Sequence, residues 1–167
     1  MTPPPCIFDS GPLISLALAG ELDVILHTSI YITDVVKMEV IDKGLAKNAI
    51  DAATLHSFYT RYIDDITVIN TLVGDEFSRS LALGDTSRRR KNMGEESILE
   101  FVSGRRSKAP SPMIVVYEDR WFTTNKDKIP EHCSLLSTSA FLRILEAQGK
   151  IPSAHAIEQK IPYGRNI

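Results

Sequence analysis

Apolar residues fall along this chain in short unbroken runs, separated by longer stretches with helical spacing. Cys6-Ile7-Phe8 is such a run and stops at Asp9-Ser10-Gly11-Pro12, which predicts a strand ending in a turn, with Pro12 in the first turn of a helix. Leu13, Ile14, Leu16, Ala17 and Leu18 are apolar nearly all round, so that helix is expected to be well buried, and a second short one over 22–26 follows Gly20. Ile30-Tyr31-Ile32 reads as the next strand. Thr33 or Asp34 then caps a helix carrying Val35, Val36, Val40 and Ile41, ended by Gly44. Residues 48–62 predict an amphipathic helix with Ile50, Ala53, Leu55, Phe58 and Tyr62 in the core. Ile66 to Ile69 is a β-branched strand, and 72–83 another helix. A polar, basic loop is expected over 84–93, before helical spacing returns over 95–102. Met113-Ile114-Val115-Val116-Tyr117 is apolar throughout, as in a strand covered on both faces, and Glu118-Asp119 ends it. Residues 134–136 form a weaker strand, Ser137 to Ser139 offer caps for a helix over 140–148 stopped by Gly149, and Ser153 starts a last short helix.

Strands alternating with helices predict an α/β fold: one three-layer α/β/α domain over 1–167 around a central parallel sheet. In such sheets ligands bind beyond the carboxyl ends of the strands, near the point where strand order reverses. Acids placed just after strands are therefore the ones to follow.

Composition narrows the classes. The 167 residues are 43% hydrophobic, enough for a real core, and the 19 basic and 21 acidic residues sum to −2. A globally basic nucleic-acid binder is excluded, so a nucleic-acid role has to rest on local patches. Cys6 and Cys133 lie far apart, each in or beside an apolar stretch, and read as buried thiols of a reducing compartment. The four histidines form no zinc spacing. The start, Met1-Thr2-Pro3-Pro4-Pro5, has no basic signal-peptide region, and the longest apolar run, 12–19, falls short of the roughly 18 residues a bilayer span needs. A soluble cytoplasmic protein with no membrane partner is expected.

Asp9 follows the first strand, and Glu118 and Asp119 the strongest one. Glu39 lies on the helix after the second strand, and Glu95-Glu96 open the helix after the basic loop. If these converge, the cluster needs a counter-ion, because like charges held close raise one another's pKa. A hard divalent cation, Mg²⁺ or Mn²⁺, takes oxygen ligands and bridges to phosphate. Plainer roles exist for each. Asp9 suits a cap on the Pro12 helix, Glu39 a solvated helix face, Glu95 and Glu96 the favourable field of a helix start, and Asp119 a cap on the turn after it. No Ser/His/Asp or Cys/His arrangement offers a protein nucleophile. Arg88-Arg89-Arg90-Lys91 and Arg105-Arg106-Ser107-Lys108 are the dense basic runs, either solvated loop charge or phosphate contacts. Tyr117, Trp121 and Phe122 suit packing better than base stacking.

The stretch Ile7-Phe8-Asp9-Ser10-Gly11-Pro12-Leu13-Ile14 resembles the opening of a PIN domain, and 30–40, with Glu39 after the second strand, is similar to that family's second block. Gly94-Glu95-Glu96-Ser97-Ile98 resembles the Gly-Glu helix start of one branch, which includes VapC-like toxins. Val115 to Phe122 is similar to the last block, and 147–153 to the end of that branch. The resemblance implies a Mg²⁺- or Mn²⁺-dependent endoribonuclease whose metal-binding acids are Asp9, Glu39, Glu95 and Asp119. Glu96 is a rival beside Glu95, and Glu118 beside Asp119. It implies an RNA substrate, for which the basic runs offer Arg88, Arg89, Arg90, Lys91, Arg105 and Arg106 as candidate phosphate contacts, a homodimer, and, for a toxin, an antitoxin protein partner. This sequence departs from the pattern in a Glu rather than Asp third acid, in Tyr117 where a small hydroxyl residue is often found, and in a longer loop before Met93. A PIN fold that only binds RNA or protein is the alternative. A haloacid-dehalogenase-like phosphohydrolase would want a second Asp where Gly11 stands.

Overall fold

The computed structural model describes residues 2–46, 48–84 and 91–167. Five strands form one parallel sheet in the order β3-β2-β1-β4-β5: β1 Pro5–Phe8, β2 Ser29–Thr33, β3 Ile66–Ile69, β4 Met113–Tyr117 and β5 Cys133–Ser137. Helices flank it in an α/β/α sandwich. The chain steps outward one way through β1, β2 and β3, then returns past β1 to β4 and β5. Right-handed crossovers therefore place α1 (Ser10–Ala19) and α4 (Ile50–Arg61) on one face, and α5 (Leu72–Ala82) and α6 (Met93–Val102) on the other. Covered on both sides, β1 buries Cys6, Ile7 and Phe8 completely, and β4 buries Met113, Val115 and Val116. The Phe8 ring meets Phe141 of α8 (Thr138–Ala147) edge-on at 5.5 Å. Among the described residues no helix is long and apolar enough to cross a membrane.

All five strands lie where the apolar runs place them. Several helical expectations need correction. The helix after β2 does not end at Gly44: it runs as α2 (Asp34–Lys37), a wide π-type stretch (Met38–Asp42) and α3 (Lys43–Ala46). Gly44 is there for close approach, since a Cβ would stand 2.3 Å from the Ala52 Cβ of α4. That contact also sets the face of α4. Ala52, Leu55 and Phe58 are buried, whereas Ile50, expected in the core, is 80% exposed and Ala53 is exposed too. Leu18 of the buried first helix is exposed, and Met93, expected to end the basic loop, is the buried first residue of α6, while 85–90 of that loop lie outside the described residues. The caps hold: Thr33 Oγ1 accepts from Val36 N–H at 3.2 Å, Ser137 Oγ from Ala140 N–H at 3.1 Å, and Ser153 Oγ from Ala156 N–H at 3.2 Å. The thiols are free; burial pushes Cys6, wholly buried, up to about 12 and half-buried Cys133 to about 11, so neither is reactive near neutral pH.

A buried polar network ties the two acid-bearing helical segments to the sheet. Thr33, capping α2, is 2.7 Å from Ser97 Oγ of α6, and Ser97 donates to Gly94 O at 2.6 Å. Asp34 accepts from Thr71 N–H at 3.0 Å and Thr71 Oγ1 at 2.8 Å, and Thr71 caps α5 at Gly74 N–H. Buried Glu100 of α6 accepts from Leu72 N–H at 2.8 Å and Val73 N–H at 3.1 Å, satisfying the start of α5 with an anion. Glu100→Ala would orphan two helix N–H groups. A loss of about 2–3 kcal/mol in urea unfolding is expected, against about 1 for Glu100→Gln, which keeps one acceptor; equal, negligible losses would mean water replaces the carboxylate.

Candidate functional site

Parallel pairing carries Asp9 one step beyond β1, where its N–H donates to Val116 O of β4 at 3.0 Å. Asp9 therefore sits between β1 and β4, where strand order reverses. It occupies the position before α1, but its side chain makes no capping bond further into that helix, the adjacent Ser10 N–H being the one helix group that favours its charged form. A cleft of about 480 Å³ opens here, lined by Asp9, Glu39, Glu95 and Asp119 together with Ser10, Lys91 and Arg165.

The four acids come from four elements. Asp9 is 4% exposed, and its carboxyl is pushed up to about 8. Burial is the largest cause and the Glu95 charge next; Glu39 and Asp119 add to the rise, while the Ser10 N–H opposes it. Glu95, in the first turn of α6, is also raised, first by burial and further by the charges of Asp119, Glu39 and Glu96, with its own N–H pulling the other way. Glu39 rides on the π-type stretch, a local widening that often marks functional sites. Its Oε2 accepts from Ser10 Oγ at 2.8 Å. A Cβ on Gly94 would stand 3.0 Å from the same oxygen, so the bare glycine lets the start of α6 close on Glu39. Exposed Asp119 both lines the cleft and accepts from Trp121 N–H through Oδ1 at 2.7 Å.

The rival acids are placed differently. Glu118 touches the cleft but is 7% exposed, and both its oxygens are engaged: Oε1 accepts from Thr138 at 2.7 Å, and Oε2 from Ser15 at 3.0 Å and Arg165 at 3.1 Å. It is an anchor. A Cβ on Gly11 would press to 2.8 Å from the Glu118 Cβ, so glycine is required there by packing. Glu96 follows Glu95 in the first turn of α6 and does not line the cleft.

Of the basic residues, Lys91 lines the cleft. Arg105 and Arg106 follow the far end of α6, at least about 10 Å along its axis from Glu95 by helical rise, and Arg106 pairs with Asp75 at 2.6 Å. Arg88, Arg89 and Arg90 lie outside the described residues. Tyr117, Trp121 and Phe122 pack on one another, with centroids 5.3–5.4 Å apart. Sequence reasoning missed Arg165, whose only local signal is a lone arginine after Pro162-Tyr163-Gly164.

The donor set is all hard oxygen, and the field at Asp9 is net negative in spite of Lys91 and Arg165, which is the chemistry a divalent cation relieves. In the arrangement seen, no three Asp, Glu, His or Cys side chains among the described residues are close enough together to grip one. No family model, curated protein or solved structure matches this chain.

A carboxyl whose pKa is raised on folding takes up a proton between its unfolded value, 3.8, and about 8, so metal-free stability falls as pH rises through that window. In chelator at pH 8, Asp9→Asn should therefore be more stable than the native chain by about 1–2 kcal/mol, with the difference vanishing below pH 4. Thermal melts across pH check this; a destabilised Asp9→Asn at pH 8 would mean that the carboxylate is held favourably.

Proposed function

We propose that this chain is a PIN-like, divalent-cation-dependent ribonuclease that hydrolyses RNA phosphodiester bonds in the cleft beyond β1 and β4. The observation that carries the reading is the convergence of four carboxylates, from four separate elements, on the point where strand order reverses. A cluster placed there by chance would be expected to spend its carboxyl groups on caps or ion pairs, as Glu118 does. Among the described residues Asp9 makes no capping bond further into α1 and no ion pair, only the adjacent Ser10 N–H facing its carboxyl.

Asp9, Glu39, Glu95 and Asp119 would hold Mg²⁺ or Mn²⁺, which when bound supplies an activated water and polarises the phosphate. Asp9 is fixed by the sheet through its own N–H. Ser10 orients Glu39 by its hydrogen bond, and the bare Gly94 leaves that carboxylate room. Glu95 stands on a helix start that Ser97 ties to Thr33 and to Gly94 O. Lys91 at the rim offsets the repulsion an RNA phosphate meets on approach.

Cleavage of mixed RNA in Mg²⁺ or Mn²⁺ tests this. The native chain should cleave and a chelator abolish cleavage, and Asp9→Asn should lose on the order of 10²-fold or more in rate. Mn²⁺ at a hundred times its Kd should stabilise the native chain by about 2.7 kcal/mol, and Asp9→Asn far less. Equal cleavage by the two proteins would remove the nuclease reading. One observation favours a second reading, a PIN-like module that binds RNA or protein with little turnover: the acids are not close enough, as they stand, to grip a cation. Mn²⁺ stabilisation without cleavage would favour it.

A further inference from the structure

Among the described residues, a fixed cation of the acidic cleft comes from far along the sequence. Residues 164–166 line the cleft wall, and Arg165 is held there by three hydrogen bonds. Its Nε donates to Ser15 Oγ at 2.7 Å, and its Nη2 to Gly11 O at 2.9 Å and Glu118 Oε2 at 3.1 Å. Asn166 secures the same segment by donating from Nδ2 to Glu118 O at 2.8 Å. The third nitrogen, Nη1, donates to no described residue, and the side chain is 28% exposed.

We infer that Arg165 is the phosphate-binding residue of this cleft, holding the backbone phosphate of a single RNA strand against the four carboxylates. This rests on the ribonuclease reading and deepens it. A cleft of like charges repels the polyanion it must admit, so some cation has to be built into its wall. Arginine suits that role, because its planar fork is anchored through one edge while the remaining donors face a phosphate oxygen. Lys91 is exposed on the rim and fixed by no side-chain hydrogen bond among the described residues, and Arg106 is paired elsewhere. Among the described residues, Arg165 is the cation that is both within the cleft and preorganised. Its anchor also explains Glu118: the acid next to Asp119 serves to seat this guanidinium, with Ser15 and Thr138 completing the seat.

The simpler alternative is a clamp that only docks residues 164–166. The two differ in what lysine rescues. A lysine keeps the charge but cannot reach Ser15, Gly11 O and Glu118 together, so it restores phosphate binding and not a clamp. The test is fluorescence anisotropy of a labelled short single-stranded RNA with the full chain in Ca²⁺, across salt, for native, Arg165→Gln and Arg165→Lys proteins, with melts of each. Arg165→Gln is expected to bind about 10-fold more weakly, with the salt slope reduced by about one, and Arg165→Lys to recover most of both. Unchanged or tighter binding by Arg165→Gln overturns the inference and leaves the ribonuclease reading standing. A lysine variant that behaves like glutamine in both binding and melting also overturns it, in favour of the clamp. No binding by the native chain overturns the inference and the ribonuclease reading together.

Discussion

The doubly covered strand β1 is the constraint on which the rest of this molecule depends. Cys6, Ile7 and Phe8 have no exposed surface, because helices close over both faces and strands flank both edges. A strand so placed ends in a crevice, since the helices leaving its neighbours diverge to opposite sides of the sheet. Asp9 is the first polar residue beyond it and is locked to β4 through its backbone. Its desolvation is thus a direct result of the topology, and burial is accordingly the largest cause of its raised pKa.

Around that crevice the protein treats neighbouring acids in opposite ways. Glu118 and Asp119 are adjacent in the chain, yet successive residues leaving a strand project to opposite sides. Glu118 meets Thr138, Ser15 and Arg165 and is fully satisfied, as a buried charge must be to be tolerated. Asp119 turns to the cleft, where it raises Asp9 and Glu95 in concert with Glu39. The first arrangement resembles structure elsewhere in the chain, such as Glu100 at the start of α5. The second leaves repulsion unrelieved, which folded proteins keep chiefly at sites of function.

Much of this was legible in the order of residues alone. The short apolar runs located every strand, the order of strands and helices implied the three-layer sandwich, and acids after strands pointed to the cleft. Misreadings arose where a distant partner decided the outcome. Ile50 and Ala53 fit a helical face as well as Ala52 does, but Gly44 admits only the small Cβ of Ala52, and that contact rotates α4. Gly44 itself looks like a helix stop until its close neighbour is known. Arg105 and Arg106 lie near Glu95 in sequence, but a helix of ten residues carries them away from it.

By itself the sequence determined what depends on local periodicity and residue type: where strands and helices form, that the sheet is parallel and covered, and which acids stand at strand ends. Tertiary structure alone decided which of those acids share a cleft, that Glu118 is an anchor, and that Arg165 reaches across 154 residues of chain to Gly11. The reason is physical. Backbone geometry repeats over a few residues and leaves a pattern, whereas charge pairing and desolvation depend on distance in space, for which a chain carries no local mark.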